Sequence, residues 1–186
     1  MRVIASILCF LFLVSGCSNE NKSLERALSL RSKLQESSGC CFHTVVTADY
    51  GEKLYMFAME CQTDREGNLL FTVTEPASIA GITGSIDNDG GAITFDDAVL
   101  AFQTIADDQV TPVTAPWLLI KTLRSGYLKG CTETDSGFQI SIDDSYEENA
   151  LHLNIWTDRN LYPVSGEIFW QGRRVLTISV EEFAFL

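Results

Sequence analysis

In run after run beyond residue 40, apolar side chains recur at every second position. Phe138, Ile140 and Ile142 alternate with Gln139, Ser141 and Asp143; Leu151, Leu153 and Ile155 alternate with His152, Asn154 and Trp156. Val164, Gly166, Ile168 and Trp170 alternate with Ser165, Glu167, Phe169 and Gln171. A period of two belongs to strands with one face on a core, and a series of such runs broken by Gly, Asn and Asp predicts antiparallel hairpins. Cys41 to Asp49 and Lys53 to Gln62 meet about Tyr50-Gly51-Glu52. Asn68 to Glu75 follows and stops at Pro76, which cannot donate to a ladder. Ile82 to Asp87 and Ala92 to Phe95 are joined by Asn88-Asp89-Gly90-Gly91, and Asp96-Asp97 turns the chain into Ala98 to Gln103. Val175 to Phe185 is the last run.

Two stretches have helical spacing instead. Over Ser23 to Ser37, Leu24, Ala27, Leu28, Leu30 and Leu34 form an apolar stripe, with Gly39 as a stop. Over Thr114 to Arg124, Pro116 suits the first turn, Trp117, Leu118, Ile120 and Leu123 follow, and Gly126 ends the segment. The expected fold class is α+β: one curled antiparallel sheet, a half-open β-barrel of about nine or ten strands, wrapped on the N-terminal helix, with a short inserted helix. Several strands carry large apolar residues on both faces, as in Leu54 to Phe57 and Ile168 to Trp170. The helix covers one such surface. A lipid or other amphiphile in an apolar cavity is the expected cover for the rest, with Phe57, Phe71, Trp117, Trp156 and Trp170 as expected lining.

The first seventeen residues set the address. Arg2, the apolar run Val3 to Val14 and the small residues Ser15-Gly16 before Cys17 have the layout of a secretory signal, with a run too short for a stable membrane span. Val14-Ser15-Gly16-Cys17 resembles the bacterial lipobox, in which the cysteine thiol takes up diacylglycerol and becomes the new N-terminus. Residues 1–16 are then a signal peptide, 17–22 a lipidated polar tether, and 23–186 one domain. Two or more acyl chains hold such a protein stably at a membrane. The expected location is the extracytoplasmic face of the cell membrane, or the outer membrane where there is one. With 13 basic and 25 acidic residues the chain carries −12, which argues against nucleic acid as a partner.

Outside the cytoplasm, Cys40, Cys41, Cys61 and Cys131 face an oxidising medium. A two-residue Tyr50-Gly51 turn sets Cys40 opposite Cys61; a three-residue loop sets Cys41 there. One bridge, from Cys40 or Cys41 to Cys61 or Cys131, is expected, with Cys40–Cys61 as the leading pair and reduced buried thiols as the competing state. Cys40-Cys41-x-His43 sends its two thiols to opposite faces and lacks further ligands. Asp87-x-Asp89-Gly90 lacks the closing glutamate of a calcium loop. Asp143-Asp144 with Glu147-Glu148 reads as a solvated acidic loop. No nucleophile elbow is present, His43 and His152 are the two imidazoles, and His152 lies on the polar side of its strand. No metal, cofactor or enzymatic activity is expected.

A lipidated start, one helix and a long meander interrupted by a short helix resemble the lipoprotein-carrier (LolA/LolB-like) fold. Leu69-Leu70-Phe71-Thr72-Val73-Thr74-Glu75-Pro76 looks like that family's proline-ended strand. The chain is also similar to uncharacterised lipoproteins of Gram-positive anaerobes. The resemblance implies an incomplete barrel around a helix. It also implies either carriage of a lipid or work as a surface adaptor that docks an envelope or cell-wall protein.

Overall fold

The computed structural model describes residues 18–51, 53–87, 90–95, 98–99, 106 and 110–186. Its elements are α1 (Ser18–Glu36), β1 (Cys40–Asp49), β2 (Leu54–Thr63), β3 (Leu69–Glu75), β4 (Thr83–Asp87), β5 (Gly90–Phe95), β6 (Ala98–Val99), a 3-10 turn (Pro112–Thr114), α2 (Ala115–Ser125), β7 (Tyr127–Glu133), β8 (Gly137–Asp143), β9 (His152–Asp158), β10 (Pro163–Trp170) and β11 (Arg173–Phe185). The signal, Cys17, the Asn88-Asp89 and Asp96-Asp97 turns and the run beyond Val99 to Gln103 lie outside the described residues.

The described strands form one sheet of eleven in the order β6-β5-β4-β3-β2-β1-β11-β10-β9-β8-β7. All pairs are antiparallel and the sheet is open. Two meanders are thus joined along β1 and β11. After β6, at one edge, the chain crosses to β7 at the other, and α2 lies in that crossing.

Alternation decides which face is inner. Cys40, Phe42, Thr44, Val46 and Ala48 of β1 are buried, while Cys41, His43, Val45 and Thr47 between them are half-buried. Leu153, Ile155, Ile140 and Ile142 behave likewise in β9 and β8. Over this face lie α2, through Leu118, Leu119, Ile120 and Leu123, and α1, through Ala27, Leu30 and Leu34. Gly166 of β10 leaves room for α2: a Cβ there would stand 3.1 Å from Leu119 Cδ1.

The α+β architecture with an N-terminal and an inserted helix is as expected, and four details differ. The N-terminal helix is described from Ser18, five residues before the expected start at Ser23. Its buried stripe runs Ser23, Ala27, Leu30, Leu34, leaving Leu24 and Leu28 exposed. Strand β7 has no clean alternation because it is an edge strand, half-buried or exposed throughout. The β1–β2 loop spans residues 50–53, with Asp49 paired to Leu54, which moves the register away from both expected turns.

Candidate functional site

That register decides the fate of the cysteines. Thr63 faces Cys40, and Phe42 faces Cys61. The Cys40 backbone N–H donates to Thr63 Oγ1 at 3.0 Å, and the Cys40 thiol lies 3.1 Å from the same oxygen. The expected Cys40–Cys61 bridge is absent: all four described cysteines are free thiols, and these two sit one diagonal step apart on the inner face. Burial pushes the Cys40 thiol up to about 11, against a lowering by its Thr63 hydrogen bond. Burial, reinforced by Cys40, pushes Cys61 higher still. Both are therefore inert thiols at neutral pH.

The expected cavity wall does not assemble. Phe71 is core, 3% exposed. Phe57 packs half-buried against the core. Trp117 lies under Lys121, whose Nζ is 4.5 Å from the ring centroid, beside a rim hollow of about 270 Å³. Trp170 packs at another end of the core, lining about 290 Å³ with Tyr50 and Val175, its Nε1–H buried without a partner among the described residues. Trp156, opposite Gln139 and Ser165, belongs to the half-buried outer positions of β9. The five side chains are dispersed over both faces because alternation and the β10–β11 irregularity at Ile168/Phe169 separate them. Between helices and sheet the space is taken by Leu30, Leu34, Met59, Leu119, Ile120, Ile155 and Ile168, each below 2% exposed.

The room lies elsewhere. A concavity of about 720 Å³ opens over β1 to β4. Its lining includes Cys41, His43, Glu60, Gln62, Leu70 and Thr72, together with Thr83, Ser85 and Glu182. His43 is flanked by Glu60 on β2 and Glu181 on β11, so acidic groups border the imidazole on both neighbouring strands. Leu70 is 60% exposed there. At the tip of the β1–β2 hairpin Leu54, Tyr55 and Met56 are exposed as well.

A polar row occupies the outer face of β8 and β9. His152 faces Asp143 across the ladder, and its Nδ1 is 2.7 Å from Asp143 Oδ1. His152 Nε2 is 3.3 Å from Ser141 Oγ. Lys129 Nζ stands 3.1 Å from Asp143 Oδ2. Burial raises the Asp143 carboxyl, but hydrogen bonds from His152 and Lys129 outweigh it and hold the group below its ordinary range. Among the described residues no three His, Cys, Asp or Glu side chains converge as a metal site, and no helix is long and apolar enough to cross a membrane.

No family model matches the chain, and no curated protein does. Several solved structures align with most of its length at low identity. An uncharacterised conserved protein of Thermus thermophilus aligns at TM-score 0.49 and 13% identity, over 88% of each chain. A putative outer membrane lipoprotein-sorting protein domain of Vibrio parahaemolyticus aligns at 0.46 and 10%, over 90% of this chain and 93% of that one. A LolA superfamily protein of Nitrosomonas europaea aligns at 0.43 and 11%, over 86% and 93%.

Proposed function

We propose that this chain is an extracytoplasmic binding protein of the cell envelope, tethered through lipid at Cys17, that works as an adaptor for another envelope protein. One observation carries the choice of adaptor over carrier: among the described residues the inner face, where an acyl chain would sit, is filled by the protein's own Leu30, Leu34, Leu119 and Ile120. Exposed apolar groups collect instead on the outer concavity and the hairpin tip, at Leu70, Leu54 and Met56. Apolar side chains held in water at such positions gain by being covered. A second reading, an amphiphile seated outside the barrel, is favoured by the volume of that concavity and by Leu70 within it.

The test uses the full chain extracted in mild detergent. Wild-type protein is expected to retain one envelope protein in stoichiometric amount, Leu70→Asp to lose it, and native mass spectra to show no lipid besides the Cys17 anchor. Stoichiometric acyl lipid on the folded protein, released by Leu70→Asp, would replace the adaptor with the second reading. Lipid retained by that variant would restore the carrier.

A further inference from the structure

The outer face of β8 and β9 holds an arrangement that the binding reading does not use. Asp143, ionised, can only accept, so the hydrogen on the His152 ring must sit on Nδ1 when the imidazole is neutral. Nε2 then carries the lone pair, and it faces the Ser141 hydroxyl at 3.3 Å. The serine donates, the imidazole accepts, and the carboxylate fixes the tautomer. These are the roles of nucleophile, general base and orienting group, recognised by geometry and not by order in the chain. Lys129 steadies the carboxylate from its other oxygen, at 3.1 Å.

Two further groups complete the surroundings. Asn154 is the ladder partner of Ser141 and lies two residues along β9 from His152, so all three share one face. Directly opposed residues have Cβ atoms about 5 Å apart, which puts the Asn154 amide beside the serine as a donor for an oxyanion. Phe169 pairs with His152 from β10, ring centroids 6.1 Å apart, and walls a hollow of about 260 Å³ that His152, Asn154, Ala150 and Gln171 also line. Ser141 is not part of that lining; the hollow is a seat for a small ester beside His152 and Asn154, next to the serine. Glu148 on its border disfavours an anionic one.

We propose that Ser141, His152 and Asp143, with Asn154 as oxyanion donor, form a hydrolytic site for uncharged short-chain carboxylic esters. Ser141 Oγ adds to the ester carbonyl carbon as its proton passes to His152 Nε2. The carbon–oxygen bond to the alcohol breaks, and the alcohol leaves with that proton. Water then adds to the acyl carbon and gives a proton to Nε2. The bond to Ser141 breaks, the proton returns to Oγ, and the carboxylic acid is released. Asp143 is a positioning residue: its carboxylate bonds the histidine and the lysine and acts through the imidazole.

The deciding experiment treats the folded full chain with a fluorophosphonate and maps the adduct by peptide mass, alongside turnover of p-nitrophenyl acetate. A single adduct on Ser141 is expected, lost after unfolding in urea. Ser141→Ala and His152→Gln are each expected to lower ester turnover at least a hundredfold. Asp143→Asn is expected to lower kcat with KM held, because the amide no longer fixes the imidazole tautomer. No adduct on Ser141 of the wild-type protein overturns the site, and that result needs no variant to fold. Turnover that survives Ser141→Ala overturns it as well. Neither outcome bears on the adaptor, whose surface is on β1 to β4.

Discussion

Arg31 closes the far end of the inserted helix, with its Nη2 donating to the Gly126 carbonyl at 2.7 Å and its Nε to the Leu123 carbonyl at 3.0 Å. One helix thus supplies the charge and the donors that the other's C-terminus lacks. Charged hydrogen bonds of this kind contribute about 1.5–3 kcal/mol each. Arg31→Ala is expected to lower unfolding free energy by about 2–3 kcal/mol in a urea titration. Arg31→Lys is expected to recover less than half of that, since an ammonium cannot span both carbonyls.

Leu119 and Gly166 form a matched pair. Leu119→Ala removes a fully buried side chain and should cost about 2–5 kcal/mol. Gly166→Ala places a methyl 3.1 Å from the flexible end of that leucine and should cost about 1 kcal/mol or less. In the double variant the new methyl enters the space the leucine vacated. Its loss is expected to be smaller than the two single losses together, as a double-mutant cycle by chemical denaturation would read.

Thiol chemistry should divide the cysteines by face. Cys41 is half-buried on the outer side of β1, whereas Cys40 and Cys61 are buried with raised thiols; Cys131, paired with Ile140, is half-buried on the inner side and burial raises its thiol too. Under native conditions iodoacetamide mapped by mass spectrometry is expected to label Cys41 at least tenfold faster than Cys40 and Cys61. Those two should react only with unfolding, and equal rates would contradict the inner-face placement.

The Asp143 carboxyl titrates below its unfolded value, so its contribution to stability is complete above the ordinary carboxylate range, near pH 4. It is lost as pH falls through the folded-state value. Between pH 6 and pH 3, wild-type protein is expected to lose more unfolding free energy than Asp143→Asn, the two curves converging in acid. Denaturant midpoints at stepped pH measure the difference.

The alternating runs announce the sheet because burial on one face imposes a period of two, and Phe138 to Asp143 shows it without interruption. Strand β7 cannot be read so, since an edge segment such as Tyr127–Glu133 answers to no such demand. The cavity fails for a different reason. Leu54 and Met56, 69% and 64% exposed, read in the sequence as surfaces needing a cover, yet they project into water. The Ser141–His152–Asp143 row stays hidden in the sequence because its members meet only when the Asp144–Ala150 connection fixes the β8–β9 register. Asp144 accepting from the Leu151 N–H at 2.8 Å is the local device that does so, and aspartate at a loop start is too common to signal it.

Strands β1 and β11 lie side by side, and the Ser38 and Leu186 N–H groups donate to the Leu186 and Gly39 carbonyls at 3.0 and 2.9 Å. The first strand to be synthesised therefore waits for the last. Until Arg173 to Phe185 arrives, an emerging polypeptide carries two partial ribbons, each with a raw margin where the middle seam will be. Zipping them shut spans over a hundred residues of sequence, and pairing of that range must meet its loop-closure entropy before any contact rewards it.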